Sequence, residues 1–79
     1  MTNIEKYNEA FISALNITED LLGADCTVEG MEQWDSIAHI TLVGNLEDTF
    51  DIMLDADDII AMNSYESGKE ILAKYEITF

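Results

Sequence analysis

The chain has 79 residues, with 3 basic and 17 acidic side chains and a formal net charge of −14 at pH 7. This length predicts a single domain over residues 1–79, with a core too small for a large enclosed active site. The charge argues against nucleic acid and anionic membrane surfaces as partners, because both would repel the chain, and favours partners with basic patches. Hydrophobic residues make up 48% of the sequence, which is enough to drive collapse despite the charge.

The first predicted helix covers about residues 3–15, where apolar residues recur at spacings of three and four and form one stripe. Thr2 and Glu5 have the spacing of a capping box at its start. A long polar connection follows, over about residues 16–34. Three apolar residues of this connection are expected to pack onto the core: Leu21, Leu22 and Val28.

The second predicted helix covers about residues 36–50 and has more apolar positions than one buried stripe needs. One face is formed by three residues at successive i+4 steps, Leu42, Leu46 and Phe50. Ile37 and Ile40 lie about a hundred degrees or more from the centre of that face. Because one small domain rarely buries a helix on two broad faces, we interpret this pair as a docking patch.

Two more helices are predicted, over about residues 56–62 and 65–75. Asp55 suits the N-cap of the first of them. Asn63 or Ser64 caps the last one, and Asn63 with Glu66 has the capping-box spacing. Helix-to-helix connections dominate, which predicts an all-α fold: a small four-helix bundle with a long first loop and a short third helix.

The acidic side chains are unevenly distributed along the chain. Residues 7–68 contain no Lys or Arg, yet most of the 17 acids lie there. Glu47 and Asp48 fall near the C-terminus of the second predicted helix, where the helix dipole disfavours negative charge. Because these two acidic residues do not favour local helix stability, we interpret them as residues that a partner recognises. The alternative is that they belong to a generic solubilising surface.

Few residues offer catalytic or metal chemistry. The stretch that begins at Asp55 is similar to a calcium loop, but Ile60 stands where such a loop needs glycine, so we predict no metal site. His39 follows Ser36 by three residues, which allows a Ser-His pair on one helix and a small hydrolase as a hypothesis. No oxyanion site or deep cleft accompanies the pair, so we predict that the chain is not an enzyme.

The sequence predicts a cytoplasmic location. Cys26 is the single cysteine, which leaves no internal disulfide and fits a reducing compartment. The first residues show no basic segment followed by an apolar run, as a secretory signal would. No apolar stretch approaches the roughly 20 residues needed to span a bilayer.

Ser36 has a position that suits a chemical modification. Asp35 fits the N-cap, which places Ser36 in the first helical turn, pointing outward beside free backbone N–H groups. A phosphate ester on its hydroxyl would meet the positive end of the helix dipole. The site therefore suits a phosphodiester-linked group, although many helices begin with Asp-Ser and carry nothing.

The residues Asp35-Ser36-Ile37 follow a long loop and open an acidic helix that continues ITLVGNLEDTFDI. The chain resembles the acyl carrier proteins over nearly all of its residues. The resemblance rests on this motif, on the size and acidity of the chain, and on the order of its helices. The resemblance implies that Ser36 receives a phosphopantetheine arm from coenzyme A, and that the arm holds acyl or aminoacyl groups as thioesters. The implied partners are a phosphopantetheinyl transferase, an acyl- or aminoacyl-loading ligase or transferase, and a downstream synthase or acyltransferase with basic docking patches.

The resemblance also implies partner contacts, at Asp35, Ile37, Ile40, Glu47 and Asp48. The chain departs from fatty-acid carriers, which often have a glycine at the position of Trp34 and a larger apolar contact residue at that of Gly44. Its Trp-Asp-Ser form with a nearby histidine is similar to discrete carriers of polyketide, nonribosomal peptide or cell-surface acylation pathways. We expect a monomer. The charge pattern leaves one alternative, an acidic interaction module that binds a basic protein without a covalent arm.

Overall fold

The structure is a computed structural model that describes residues 2–79. It contains four α-helices: α1 (Asn3–Leu15), α2 (Ser36–Phe50), α3 (Ala56–Ala61) and α4 (Tyr65–Ala73). A short 3-10 turn, Glu19–Leu21, interrupts the connection between α1 and α2. No β-strand forms within residues 2–79, so the all-α prediction is confirmed at this level. No helix in the same range has the length and apolar content that crossing a membrane requires.

The start of α1 is the predicted capping box. The Thr2 hydroxyl accepts a hydrogen bond from the Glu5 amide at 3.3 Å, and the Glu5 carboxylate accepts one from the Thr2 amide at 3.0 Å. These two bonds satisfy amides that have no partner inside the helix. Asn16 ends the helix in the left-handed conformation, with φ at 55°. Local sequence therefore determines both ends of this helix.

The start of α4 is capped by Ser64. Its capping box is formed by Ser64 and Ser67, whose hydroxyls accept from each other's backbone amides at 3.0 and 3.1 Å. Asn63 lies just before the cap, and its carbonyl accepts a hydrogen bond from the Val28 amide at 2.9 Å. Ser64, one of the two predicted caps, is therefore confirmed and the helix starts at Tyr65 as predicted, while the capping box of Asn63 with Glu66 does not form.

The core forms where α1 packs along α2, with side chains from α4 and both long connections closing around it. Its largest fully buried side chains are Tyr7, Phe11, Leu15, Leu42, Leu46, Met62, Leu72 and Cys26. Trp34, just before α2, is also buried and meets the Phe11 ring edge-on at a centroid distance of 5.4 Å. The predicted inward stripes of α1 and α2 are thus present, with Phe50 half-buried at the end of its stripe.

The first loop is held against the connection between α3 and α4. The Tyr65 amide donates to the Cys26 carbonyl at 2.8 Å, beside the bond from Val28 to Asn63, and together they make a short antiparallel bridge. Leu22 packs against the core as predicted, but Leu21 and Val28 are exposed, so that part of the prediction is wrong. The bridge fixes the backbone at Val28, and the side chain then lines an open groove instead of the core.

Helix α3 is anchored to the chain that follows α4 by a buried carboxylate. Asp58 accepts hydrogen bonds from the Lys74 ammonium at 2.5 Å and from the Tyr75 hydroxyl at 2.6 Å. The Tyr75 hydroxyl in turn accepts from the Asp55 amide at 3.0 Å. Asp55 occupies the predicted N-cap position of α3, but its side chain makes no capping bond. The Tyr75 hydroxyl therefore satisfies the amide of the N-cap residue itself, a role that the N3 side chain has in a capping box.

This network predicts acid sensitivity. The hydrogen bonds from Lys74 and Tyr75 lower the pKa of Asp58 below its ordinary value. A carboxylate with a lowered folded-state pKa stabilises the fold fully above its unfolded pKa, about pH 4, and loses that contribution as pH falls through the folded value. Asp58→Asn should therefore flatten the loss of unfolding free energy below about pH 4, measured by urea titration at several pH values. Asp57→Asn, on the exposed side of the same helix, is the matched control, and equal pH slopes for all three proteins would contradict the prediction.

Candidate functional site

Ser36 is the first residue of α2 and its side chain is exposed. The cap is provided by Asp35, whose carboxylate accepts from the Ala38 amide at 2.8 Å. This leaves the Ser36 hydroxyl outside the hydrogen bonding that starts the helix. The amides of Ser36 and Ile37 have no acceptor within the helix, so unpaired N–H groups lie near the hydroxyl, at the helix end that the Asp35 carboxylate caps. The structure thus places this residue as the sequence predicted.

Trp34 fixes the position of this helix start. The indole is buried against Phe11, and the Trp34 amide donates to the Met31 carbonyl at 3.1 Å. A bulky anchor two residues before Ser36 holds the loop on the core while the next residues turn outward. Trp34 therefore has a structural role here.

His39 bridges the loop and α3 and does not serve Ser36. The Trp34 indole N–H donates to His39 Nδ1 at 3.0 Å, and His39 Nε2 lies 2.8 Å from the Ile59 carbonyl. Because an indole only donates, Nδ1 is the acceptor and Nε2 carries the proton that Ile59 accepts. Neither nitrogen retains a free lone pair for the serine hydroxyl. This arrangement counts against the Ser-His nucleophile.

An open groove of about 560 Å³ lies between α2, α3 and the first loop, directly beside Ser36. Its walls are mostly apolar and include Val28, Trp34, Ile40, Ile60 and Met62. Among these five residues, only Ile40 was named as a site residue from the sequence. Ile60 was considered only because it occupies the position where a calcium loop needs glycine, and Val28 was assigned to the core. The adjacent pair Ile59-Ile60 held a usable signal, since successive helical residues point about 100° apart and a short helix buries only one of them.

Ile37 and Ile40 both lie outside the core, with 77% and 72% of their surface exposed. Leu42 and Leu46 on the opposite side of α2 are fully buried. The inference of a second apolar face on this helix therefore agrees with the structure, and its role in partner binding stays a prediction. Gly44 lies on the same outward face, where an added Cβ would meet no atom within 4 Å.

Glu47 has a local role that the sequence analysis did not foresee. Its carboxylate accepts a hydrogen bond from the Leu54 amide at 2.9 Å, across the turn that leaves α2. The expectation that local stability opposes this acid is therefore incomplete, because the bond satisfies a backbone amide in the α2–α3 connection. Asp48 is exposed beside it, so the charge argument for recognition rests more on Asp48 than on Glu47.

The acidic side chains do not converge on one point. Within residues 2–79 no group of three His, Cys, Asp or Glu side chains is arranged to hold a metal ion. Asp58, the buried member of the acidic cluster in α3, is engaged by Lys74 and Tyr75. Cys26 is fully buried, and burial raises the pKa of its thiol, which disfavours a reactive thiolate.

Comparison with models of known protein families returns no match. Comparisons with curated proteins and with solved structures return none either.

Proposed function

We propose that the chain is an acyl carrier protein, with Ser36 as the residue that bears a phosphopantetheine arm. The observation that carries the proposal is an exposed serine hydroxyl at the first position of a 15-residue helix whose cap is supplied by Asp35. A small four-helix bundle with a long first loop and a short third helix is the architecture that this proposal implies. A cytoplasmic, monomeric protein belongs to the same proposal.

The residues around Ser36 fit such a group. Attachment needs a hydroxyl that a transferase can reach, and this one is outside the capping hydrogen bonds. The free amides of Ser36 and Ile37 and the helix dipole favour a phosphodiester anion at that oxygen. When bound, the arm supplies a terminal thiol for thioester chemistry. The chain itself supplies attachment and recognition, while catalysis belongs to its partner enzymes.

The direct test is the mass of the protein after incubation with coenzyme A and a broad-specificity phosphopantetheinyl transferase. The expected result is a gain of one phosphopantetheine, which peptide mapping places on Ser36. No gain, or attachment at another residue, would defeat the proposal. The Trp34-Asp35-Ser36 sequence with His39 favours a polyketide, nonribosomal peptide or cell-surface acylation pathway, and the intact mass of the protein from its native host would show the cargo.

Charge reversal at Asp48 should change only the rate of partner association, whereas charge reversal at Glu47 should also change the stability of the fold. Asp48→Lys should slow modification by the transferase, most at low salt, because it removes an exposed charge that steers a basic partner. Glu47→Lys should also lower the free energy of unfolding, since the Leu54 amide loses its acceptor, at a cost of about 1–3 kcal/mol. Transferase rates across ionic strengths, with thermal unfolding of each variant, check both. Rates for Asp48→Lys that match the parent chain at every salt concentration would place the interface elsewhere.

The second candidate function is an acidic interaction module that binds a basic protein without an arm. The exposed pair Ile37 and Ile40 on a chain of net charge −14 supports it as well. It predicts that a Ser36→Ala variant keeps full pathway function. Loss of that function while the fold and partner binding persist would favour the carrier.

A further inference from the structure

We propose that His39 is a positioning residue for the modification of Ser36, and that the gain of one proton by its ring releases Trp34, which anchors the helix start. The effect on Ser36 rests on the proposed function, whereas the release of Trp34 does not depend on it. Modification of Ser36 should therefore vary with pH through a residue whose two ring nitrogens are bonded elsewhere.

The neutral His39 ring joins two distant segments of the chain. Nδ1 accepts the indole N–H of Trp34 at 3.0 Å, and Nε2 lies 2.8 Å from the Ile59 carbonyl. Helix α3 leaves this carbonyl without an amide, because the Asn63 amide, four residues further on, donates to the Ala61 carbonyl at 2.9 Å. The ring therefore satisfies a buried indole donor and a carbonyl at the end of a helix at the same time.

A proton on the ring breaks one of these contacts and keeps the other. Both nitrogens of a charged histidine donate, so no orientation of the ring then offers an acceptor to the Trp34 indole. Nε2 continues to donate to the Ile59 carbonyl, now in a charge-assisted hydrogen bond. Protonation of His39 thus leaves α3 attached to α2 and turns the indole N–H into a buried donor without a partner, which is unfavourable.

The charges around the ring come from the two segments that contact it. Residues 31–35 meet the ring through Trp34, and α3 with its cap meets it through Ile59. The charged residues of these segments are Glu32, Asp35, Asp55, Asp57 and Asp58. Lys74 approaches α3 only as the ion-pair partner of Asp58. A positive His39 ring therefore meets carboxylates, and because the ring is half-buried and lines the open groove, solvent reaches it.

Release of Trp34 loosens the segment that presents Ser36. Trp34 lies two residues before this serine, and its indole bond to His39 ties the segment to α2 itself. When that bond breaks, the chain before the helix has more conformations, and only a fraction of the molecules presents the hydroxyl as the transferase requires. A smaller competent fraction weakens the apparent affinity, so the effect should appear mainly in KM.

Hydrogen exchange of the Trp34 indole tests the release directly, without a transferase. Trp34 is the single tryptophan, so its indole proton gives one NMR signal. Between pH 8 and pH 5, the range in which histidine side chains ordinarily change charge, its exchange should quicken about tenfold relative to that in His39→Asn. Asparagine offers an acceptor where Nδ1 stands but gains no proton in this range. Circular dichroism should show the same helix content throughout.

The modification reaction tests the positioning role. The kcat/KM for modification by the broad-specificity transferase, divided by that for His39→Asn at the same pH, should fall about threefold to tenfold from pH 8 to pH 5. Taking this ratio removes the pH dependence of the transferase itself. His39→Gln is a second reference that gains no proton, so a folding defect in one variant leaves the test intact.

Indole exchange that follows the His39→Asn variant at every pH would overturn the inference. A quickened exchange with a constant kcat/KM ratio would also overturn it, because His39 would then have no part in positioning Ser36. A parent chain that gains no mass while its indole responds as expected defeats the proposed function, and the release of Trp34 is then supported by the exchange data alone.

Discussion

Replacement of Ser36 by alanine is expected to abolish the mass gain on incubation with coenzyme A and a phosphopantetheinyl transferase. Alanine has no oxygen to form the phosphodiester, so the effect is complete and not graded. The fold should persist, because Asp35 provides the N-cap of α2 and the Ser36 side chain is exposed. Surface substitutions of this kind change the free energy of unfolding by about 0.5 kcal/mol or less.

The matched control is Ser13→Ala, which removes an exposed serine from α1. It should keep the full mass gain and the parent unfolding midpoint. If Ser36→Ala still gains mass, the arm sits on another residue and the carrier assignment to this position is wrong. A loss of mass gain that coincides with unfolding would be visible by circular dichroism, which keeps the two explanations apart.

The sequence predicts most reliably where the determinants are local. Thr2 and Glu5 lie three residues apart, as do Asp35 and the Ala38 amide that it caps, so the starts of α1 and α2 follow from spacing alone. Ser36 is placed by the same rule, because a residue after an N-cap occupies the first turn. This part of the candidate site was therefore predictable.

The misassigned elements depend on contacts between distant parts of the chain. Asn63 and Ser64 were both predicted as caps of α4; Ser64 forms the capping box with Ser67, while the Asn63 carbonyl accepts from the Val28 amide. The same bridge turns Val28 toward the groove. No local pattern contains this information, because residues 28 and 63 meet only after the chain has folded.

The groove was unpredictable for the same reason. Its second wall is α3, whose position is set by two long-range attachments, His39 to the Ile59 carbonyl and Asp58 to Lys74. A six-residue helix has little helical stability of its own and depends on such packing. The site thus combines a locally determined serine with a neighbouring wall that only the tertiary structure defines.

The two glycines within helices provide the largest expected contrast in stability. A Cβ built on Gly68 would lie 2.1 Å from the Tyr7 hydroxyl oxygen, which donates a buried hydrogen bond of 2.6 Å to the Tyr65 carbonyl. Burial raises the pKa of Tyr7, so the hydroxyl stays protonated and keeps donating. A Cβ on Gly44 would meet nothing within 4 Å. The same substitution therefore has opposite consequences at the two positions.

Gly68→Ala should lower the free energy of unfolding by about 2–3 kcal/mol, because α1 must move away from α4 or the Tyr7 hydrogen bond must break. Gly44→Ala should raise it by up to about 1 kcal/mol, through the higher helix propensity of alanine. Urea unfolding of both variants measures the difference. Tyr7→Phe in the Gly68→Ala background should recover much of the loss, since the nearest remaining atom, Tyr7 Cζ, is 3.2 Å from the new Cβ. Additive effects of the two changes would contradict the proposed clash, because residues in contact are expected to show a coupling energy.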